Sequence, residues 1–213
     1  MINGLPQITE LNLEDTDEAV NSNLQILLKK CREVVKIKSD TLENTNGSIL
    51  ANRFNEEEIK QIEDAYNFCV EAHKGVYRKS GEPYYLHPVL ATLYQLHLFK
   101  KTDVITVICC LLHDSVEDSE KRSQKLLEVE HTFGREVKKI VDALTNIRGS
   151  ITEEAETFAK LLLSMITDYR VILIKLCDRL HNMYTLGGHD KQEKRVQIAE
   201  ETLQFFVPIA QRL

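Results

Sequence analysis

The chain has 213 residues, of which 43% are hydrophobic and 28% charged, so it can bury the core of a sizeable soluble domain. Its net charge of −6 argues against broad binding to nucleic acid, and no nucleic-acid partner is expected. Its five cysteines lack a C-x-x-C metal spacing, which predicts reduced core thiols in a cytoplasmic protein. The longest apolar run, VITVICCLL, is too short to span a bilayer, and the acidic N-terminus lacks the layout of a signal peptide, so no membrane association is predicted.

The first predicted element is a helix in the N-terminal region. Its apolar positions recur with helical spacing at Leu24, Leu27, Leu28, Cys31, Val34 and Val35. The segment DTLENTNGS that follows has the composition of a loop. We therefore expect residues 1–50 to form a helical extension and linker, and residues 51–213 to form a separate domain.

Helical signals then follow one another from Asn55 onward. Asn55 is a suitable N-cap for a helix that ends at Gly75, and Gly134 separates two later helices. Pro88 suits the first turn of the helix after the loop VYRKSGEPYYLHP, and Thr102 or Asp103 can cap VITVICCLL. Further helices are predicted in TEEAETFAKLLLSMI, DYRVILIKLCDRLHNMYTLGG and KRVQIAEETLQFFVPIAQRL. Without a convincing alternating strand, the predicted fold class is an all-α bundle.

An acidic cluster directly follows the most apolar helix. His113, Asp114, Glu117 and Asp118 lie within six positions after VITVICCLL. Carboxylates that close repel one another, and burying them unpaired is costly, so a positive group is expected among them. A His-Asp pair alone is a weak signal, because it often only marks the end of a helix.

A polar stripe lies on the predicted helix that starts at Asp168. Apolar side chains cover most of this helix, but intervals of three, four and three residues place four polar side chains on one face. These are Lys175, Asp178, Asn182 and Thr185. Such a stripe lines either a cleft or a buried polar network, and Asp178 is a natural partner for the acidic cluster.

These residues can be combined into a metal site of mixed nitrogen and oxygen donors. His113, Asp114 and Asp178 need a second imidazole, and His87 is the best candidate because the helix start at Pro88 would fix its ring. The other histidines are expected to be packed or exposed, with His181 intermediate. A donor set without thiolate disfavours structural zinc and suits Mn²⁺ or a similar octahedral ion. The alternative is that Asp178 forms only a structural ion pair, with Arg179, Lys175 or His181 as its partner.

Three segments resemble the hydrolase domain of the RelA/SpoT homologue family, HD-superfamily enzymes that break down the alarmone ppGpp. They are YRKSGEPYYLHP, LLHDSVEDS and VILIKLCDRLHNMYTL, and the resemblance runs from about Asn55 to Leu213. It implies an HD-domain helical bundle with Mn²⁺ bound by His87, His113, Asp114 and Asp178. It also implies that Glu117 and Asp118 handle the attacking water. The residues implied to line the nucleotide pocket are Arg78, Lys79, Ser80, Lys175, Asn182 and Thr185.

The function implied by this resemblance is the Mn²⁺-dependent hydrolysis of the 3′-pyrophosphate of ppGpp or pppGpp. The products are GDP or GTP and pyrophosphate, and the role is in stringent-response control. Longer family members continue into a synthetase domain, and the last helix ends at QRL without a cap, which favours a piece of a longer parent chain. Two alternatives remain: another HD-type nucleotide phosphohydrolase, and a non-catalytic nucleotide-sensing module of a longer synthetase/hydrolase.

Overall fold

The computed structural model of the protein describes residues 11–38, 48–99, 102–116, 122–145, 163 and 167–213. Within these ranges the chain is mostly helical, as the sequence predicts. The helices are α1 (Asp17–Cys31), α2 (Glu56–Ala72), α3 (Leu86–Leu98), α4 (Val104–Leu112), α5 (Arg122–Phe133), α6 (Arg135–Leu144), α7 (Arg170–Tyr184), α8 (Gln192–Glu201) and α9 (Val207–Ala210). A short 3₁₀ turn, Leu186–Gly188, follows α7, and a π-helical turn, Thr202–Phe206, joins α8 to α9.

Side-chain caps account for the starts of the best-predicted helices. Asn55 accepts from the backbone N–H of Glu58, whose carboxylate in turn accepts from the backbone N–H of Asn55, so α2 begins with a capping box. Asp103 caps α4 by accepting from the backbone N–H of Thr106. Gly134 separates α5 from α6 with a φ of 92°, a value that favours glycine. These caps confirm the predicted helix starts at Asn55 and Asp103 and the predicted break at Gly134.

The N-terminal region departs from the predicted helix. Helix α1 ends at Cys31, and Val34–Lys38 forms strand β1, which pairs antiparallel with β2 (Ser48–Asn52). The prediction that the helix extends through Val35 is therefore wrong. The β-branched residues of VVKIK favour extended backbone, and a short apolar run does not distinguish helix from strand. The all-α class is confirmed by the bundle, and this hairpin is a local addition to it.

Helix α4 lies at the centre of the bundle. It packs against α2, α3, α6 and α7, and its residues from Thr106 to Leu112 are all buried. All five cysteines are buried free thiols, as predicted. None of the helices in the described part of the chain combines the length and apolar character needed to cross a membrane.

Helix α1 packs on α2 and α3 and shares their core. The Asn23 amide donates to the Tyr85 hydroxyl over 3.0 Å, and the Tyr66 hydroxyl donates to the carbonyl of Val20 over 2.8 Å. Tyr85 precedes the first turn of α3, so α1 supports the start of the helix that carries His87.

Two predicted helices have a different outcome. The segment TEEAETFAKLLLSMI lies almost entirely outside the described residues. The predicted C-terminal helix is not continuous, because the π-helical turn Thr202–Phe206 interrupts it.

Candidate functional site

Four predicted metal-binding side chains converge where α3, α4 and α7 meet. His87 lies in the first turn of α3, His113 caps the C-terminus of α4, Asp114 follows it, and Asp178 lies in the middle of α7. All four are buried, the most exposed being Asp178 at 9%. Residues far apart in the sequence are therefore brought into one enclosed cluster.

The distances in this cluster are short enough for its side chains to bind one shared metal ion. His87 Nε2 lies 3.3 Å from Asp114 Oδ2 and 3.2 Å from Asp178 Oδ1. His113 Nε2 lies 3.3 Å from Asp114 Oδ1 and 3.9 Å from Asp178 Oδ1. One donor atom each from His87, His113 and Asp178 fall within 4.8 Å of one another. This arrangement could hold a single metal ion.

The hydrogen bonds behind these groups show that the residues fit a cation. His113 Nδ1 lies 2.7 Å from the carbonyl oxygen of Cys110, which can only accept, so Nδ1 is the donor and Nε2 of the neutral ring carries the lone pair. Among the described residues, His113 Nε2 makes no hydrogen bond. A buried lone pair directed at two carboxylates needs a positive ion between them.

Neighbouring charges and burial shift the pKa values of these groups in opposite directions. Burial would raise the pKa of both carboxyl groups, but Lys175 and His87 lower the pKa of Asp178, and His113 and His87 lower that of Asp114. Burial lowers the pKa of His113, whereas Asp114 and Asp178 outweigh burial at His87 and raise its pKa. The two acids are therefore ionised in a buried setting, which favours a bound cation.

The predicted substrate residues line a cleft of about 350 Å³ that opens onto this cluster. Its floor contains His87, Asp114 and Asp178. The cleft brings together all six predicted positions, Arg78, Lys79, Ser80, Lys175, Asn182 and Thr185. The predicted acids Glu117 and Asp118 lie outside the described residues, so their placement stays a prediction.

Arg78 is held in place by the opposite wall of the cleft. Its guanidinium donates to Asn182 Oδ1 and to Thr185 Oγ1, each over 3.1 Å, and lies 3.5 Å from the carboxylate of Glu82. The guanidinium also lies 5.7 Å from the centre of the Tyr84 ring. Arg78 is therefore a pre-positioned cation, whereas Lys79 is an exposed one on the same loop.

The structural alternative for Asp178 is correct only in part. Lys175 donates to Asp178 Oδ2 over 3.2 Å, and Asn182 donates to Asp178 Oδ1 over 2.6 Å. Arg179 instead pairs with Glu201, and His181 contacts His87. Lys175 therefore supplies part of the positive charge that the sequence led us to expect, and it does so from inside the polar stripe.

Two residues at the site were missed by the sequence analysis. The Tyr84 hydroxyl donates to Asp114 Oδ2 over 3.2 Å, and its ring stacks on His73 with a centroid distance of 5.0 Å. His181 is buried, not intermediate, and its Nδ1 lies 2.6 Å from His87 Nδ1. His181 lies three residues after Asp178 on α7, a spacing that places it near the cluster but does not by itself predict its contact with His87.

Comparison with known proteins identifies the family of the chain. The HD domain family profile matches residues 65–213. The chain is 40% identical over 163 residues to the bifunctional (p)ppGpp synthase/hydrolase SpoT of Escherichia coli K12, covering 74% of this chain and 22% of that protein. It is 41% identical over 162 residues to a GTP pyrophosphokinase of Myxococcus xanthus, covering 71% and 20%. The chain thus spans about a fifth of the length of these curated relatives.

A solved structure has a similar fold over part of this chain. It is described as "A metazoan ortholog of SpoT hydrolyzes ppGpp and plays a role in starvation responses". The match has a TM-score of 0.54 and 25% sequence identity, and it covers 64% of this chain and 78% of that one.

Proposed function

This chain belongs to the HD domain family, and from that premise we propose that it hydrolyses the 3′-diphosphate of ppGpp or pppGpp, in stringent-response control. The observation that carries the proposal is the convergence of two imidazoles and two carboxylates on the floor of a cleft that carries Arg78 and Lys79 on its wall. The similarity to the (p)ppGpp synthase/hydrolase SpoT and to a metazoan SpoT ortholog that hydrolyses ppGpp supports the choice of substrate. The products would be GDP or GTP and pyrophosphate.

We assign a metal-binding role to His87, His113, Asp114 and Asp178. Two nitrogen and two carboxylate donors, without thiolate, suit Mn²⁺. When bound, such an ion supplies a water of lowered pKa and positive charge at the phosphoryl oxygens. The hydrogen bond from Tyr84 to Asp114 and those from Lys175 and Asn182 to Asp178 keep the carboxylates oriented before any ligand arrives.

Glu117 and Asp118 are assigned to the attacking water. They follow His113 and Asp114 by four residues in the sequence, a spacing that keeps side chains on one face if the backbone there is helical. One carboxylate orients the water and takes its proton. The water oxygen bonds to the phosphorus that is attached to the ribose 3′ oxygen, and the bond between that phosphorus and the 3′ oxygen breaks. The 3′ oxygen gains a proton, and pyrophosphate leaves intact.

The part of the cleft formed by Arg78, Asn182 and Thr185 is assigned to binding the nucleoside. Arg78 is fixed by Asn182 and Thr185, and a fixed guanidinium can lie flat against a guanine ring. Asn182 has an amide that can also contact the nucleoside, and Lys79 and Ser80 line the same cleft. Holding the base on this part of the cleft leaves the 3′ diphosphate to face the acidic floor, and such positioning contributes strongly to rate.

We propose that residues 51–213 carry this activity as the hydrolase domain and that residues 1–50 are an extension to it. The packing of α1 on α2 and α3 supports a role for the extension in stability. In a longer parent chain, a synthetase domain would follow.

Phosphorus NMR of the purified chain with Mn²⁺ tests the proposed reaction. We expect ppGpp to give pyrophosphate and GDP as first products, and we expect GTP, whose 3′ hydroxyl is free, to stay intact. Orthophosphate as the first product, or equal cleavage of GTP, would identify a different nucleotide phosphohydrolase. Absence of turnover by protein that binds both Mn²⁺ and ppGpp would identify a nucleotide-sensing module.

A further inference from the structure

The imidazole of His181 has no role in the reaction proposed above, although it touches the metal site. His181 lies three residues after Asp178 on α7 and is 1% exposed. Its Nδ1 lies 2.6 Å from His87 Nδ1, and the two ring centres are 4.7 Å apart. Its Nε2 makes no hydrogen bond with any described residue.

The direction of the hydrogen bond between the two Nδ1 atoms decides what His87 can do. A neutral imidazole carries one proton, on either Nδ1 or Nε2. If His181 were the donor, His87 would carry its own proton on Nε2, the atom that faces Asp114 and Asp178. If His87 is the donor, its Nε2 carries the lone pair instead, and that lone pair is directed at the floor of the cleft.

The arrangement of His113 favours His87 as the donor. The Nδ1 of His113 faces the carbonyl oxygen of Cys110, and its Nε2 faces the carboxylates. A neutral His181 ring with its proton on Nε2 presents the lone pair of its Nδ1 to His87 in the same way. Each proposed histidine ligand therefore has an acceptor behind it, a backbone carbonyl for His113 and a side chain for His87.

We propose that His181 is a positioning residue whose Nδ1 accepts the Nδ1–H of His87 and so holds His87 Nε2 toward the metal. This inference rests on the metal site of the proposed function. Metal-bound histidines usually donate their second N–H to an acceptor that fixes the ring and its tautomer. A neutral acceptor does this without adding a third buried negative charge beside Asp114 and Asp178.

This arrangement couples two helices at the site. Helix α7 supplies a proposed ligand, Asp178, and one turn later it supplies the group that orients a ligand on α3. A shift of α7 relative to α3 would therefore disturb two ligands together.

A matched pair of variants, His181→Asn and His181→Gln, tests the inference. The asparagine amide can place an acceptor near the position of the ring Nδ1, whereas the glutamine amide reaches the position of Nε2. We expect Mn²⁺ affinity, measured by EPR titration, to fall about 10- to 100-fold in His181→Gln, and to stay within about threefold of the parent in His181→Asn. Urea unfolding of both variants checks that the fold is kept.

Nitrogen-15 NMR of the parent protein loaded with Zn²⁺, which is diamagnetic, gives a second readout. We expect His87 to be protonated on Nδ1 and His181 on Nε2. Tight Mn²⁺ binding by folded His181→Gln, or a proton on His181 Nδ1, would overturn the inference. If His181→Gln does not fold, the NMR tautomers alone decide. Failure of the parent protein to bind any metal would instead refute the proposed metal site, and this inference with it.

Discussion

Two charged clusters lie on helix α7, and they differ in how completely their polar atoms are paired. At the first turn, the Arg170 guanidinium donates to Asp168 over 2.6 Å and to Glu136 over 2.5 Å, and it lies 3.6 Å from Asp103. About two turns later, Asp178 and Asp114 share a buried space with Lys175, His87 and His113.

This difference is the one we expect between a structural ion pair and the proposed metal site. Around Arg170, donors and acceptors match, and the carboxylates remain in contact with solvent. Around Asp178, the lone pair of His113 Nε2 is without a donor among the described residues, and two buried carboxylates face it. Both clusters combine residues that are far apart in the sequence, but only around Asp178 do the described residues leave a buried lone pair without a donor.

The largest expected effect is the loss of Asp178. Asp178→Asn keeps the shape of the side chain but removes the negative charge of a proposed metal ligand. We therefore expect stoichiometric Mn²⁺ binding and hydrolysis to be abolished together. At Mn²⁺ concentrations about 100 times Kd, the parent protein should gain about 2.7 kcal/mol of unfolding free energy, and the variant should gain almost none. Metal content after gel filtration measures Mn²⁺ binding. Thermal unfolding with and without Mn²⁺ measures the gain in unfolding free energy. The matched control is Asp168→Asn on the other cluster. An Asp178→Asn protein with full metal content would disprove the assignment.

A variant of Glu117 separates the proposed acid–base chemistry from metal binding. Glu117→Gln preserves size and polarity but cannot accept a proton, so kcat should fall by about two to four orders of magnitude. Bound Mn²⁺, measured by the same metal analysis, should be unchanged. Metal loss in Glu117→Gln would mean that this residue is a ligand and that the proposed division of roles is wrong.

Arg170 is expected to matter for stability alone. Its side chain is 14% exposed, and Arg170→Met would leave three carboxylates without their common partner. We expect the free energy of unfolding, measured in urea, to fall by about 1–3 kcal/mol, the range for hydrogen bonds to charged groups. Mn²⁺ affinity and kcat of the folded variant should match the parent. A loss of metal affinity would show that the two clusters are coupled along α7.

The parts of the fold that follow local rules were predictable from the sequence. Asn55 and Asp103 cap helices as expected, because a cap depends on residues three positions apart. The hairpin was missed because the pairing of Val34 with Asn52 is not local, and β1 alone has a pattern that also fits a helix.

The candidate site was predictable where chemistry alone distinguishes the residues. His87, His113, Asp114 and Asp178 combine donor types that few structural roles require together. His181 was not predicted, because an imidazole on a buried helix has the same sequence signal whether it packs or accepts a hydrogen bond. Its role depends on the 2.6 Å contact with His87, 94 positions away, which only the packing of α7 on α3 creates.

The smallest expected effect is the dependence of the Arg170 cluster on pH. Hydrogen bonds from Arg170 lower the pKa of Asp168 in the folded protein. A carboxyl group with a lowered folded pKa adds stability above its unfolded pKa of about 3.9, and that stability is lost as the pH falls through the folded value. Because the Asp168 side chain is 26% exposed, solvent limits the contribution to less than about 1 kcal/mol.

Asp168→Asn should therefore be less stable than the parent at pH 6, and the difference should shrink when the pH falls below about 4. Asparagine can still accept from the backbone N–H of Arg170, as Asp168 does over 3.0 Å, so the variant removes the charge and keeps that bond. Urea unfolding at both pH values measures the difference, with Arg170→Met as the matched control in which the charge of Asp168 has lost its partner. If the difference in unfolding free energy between the parent and Asp168→Asn stays constant between pH 6 and pH 3, Asp168 acts through its shape and not through its charge. Within the Arg170 cluster, only the charge of Arg170 would then contribute to the contrast with the Asp178 cluster.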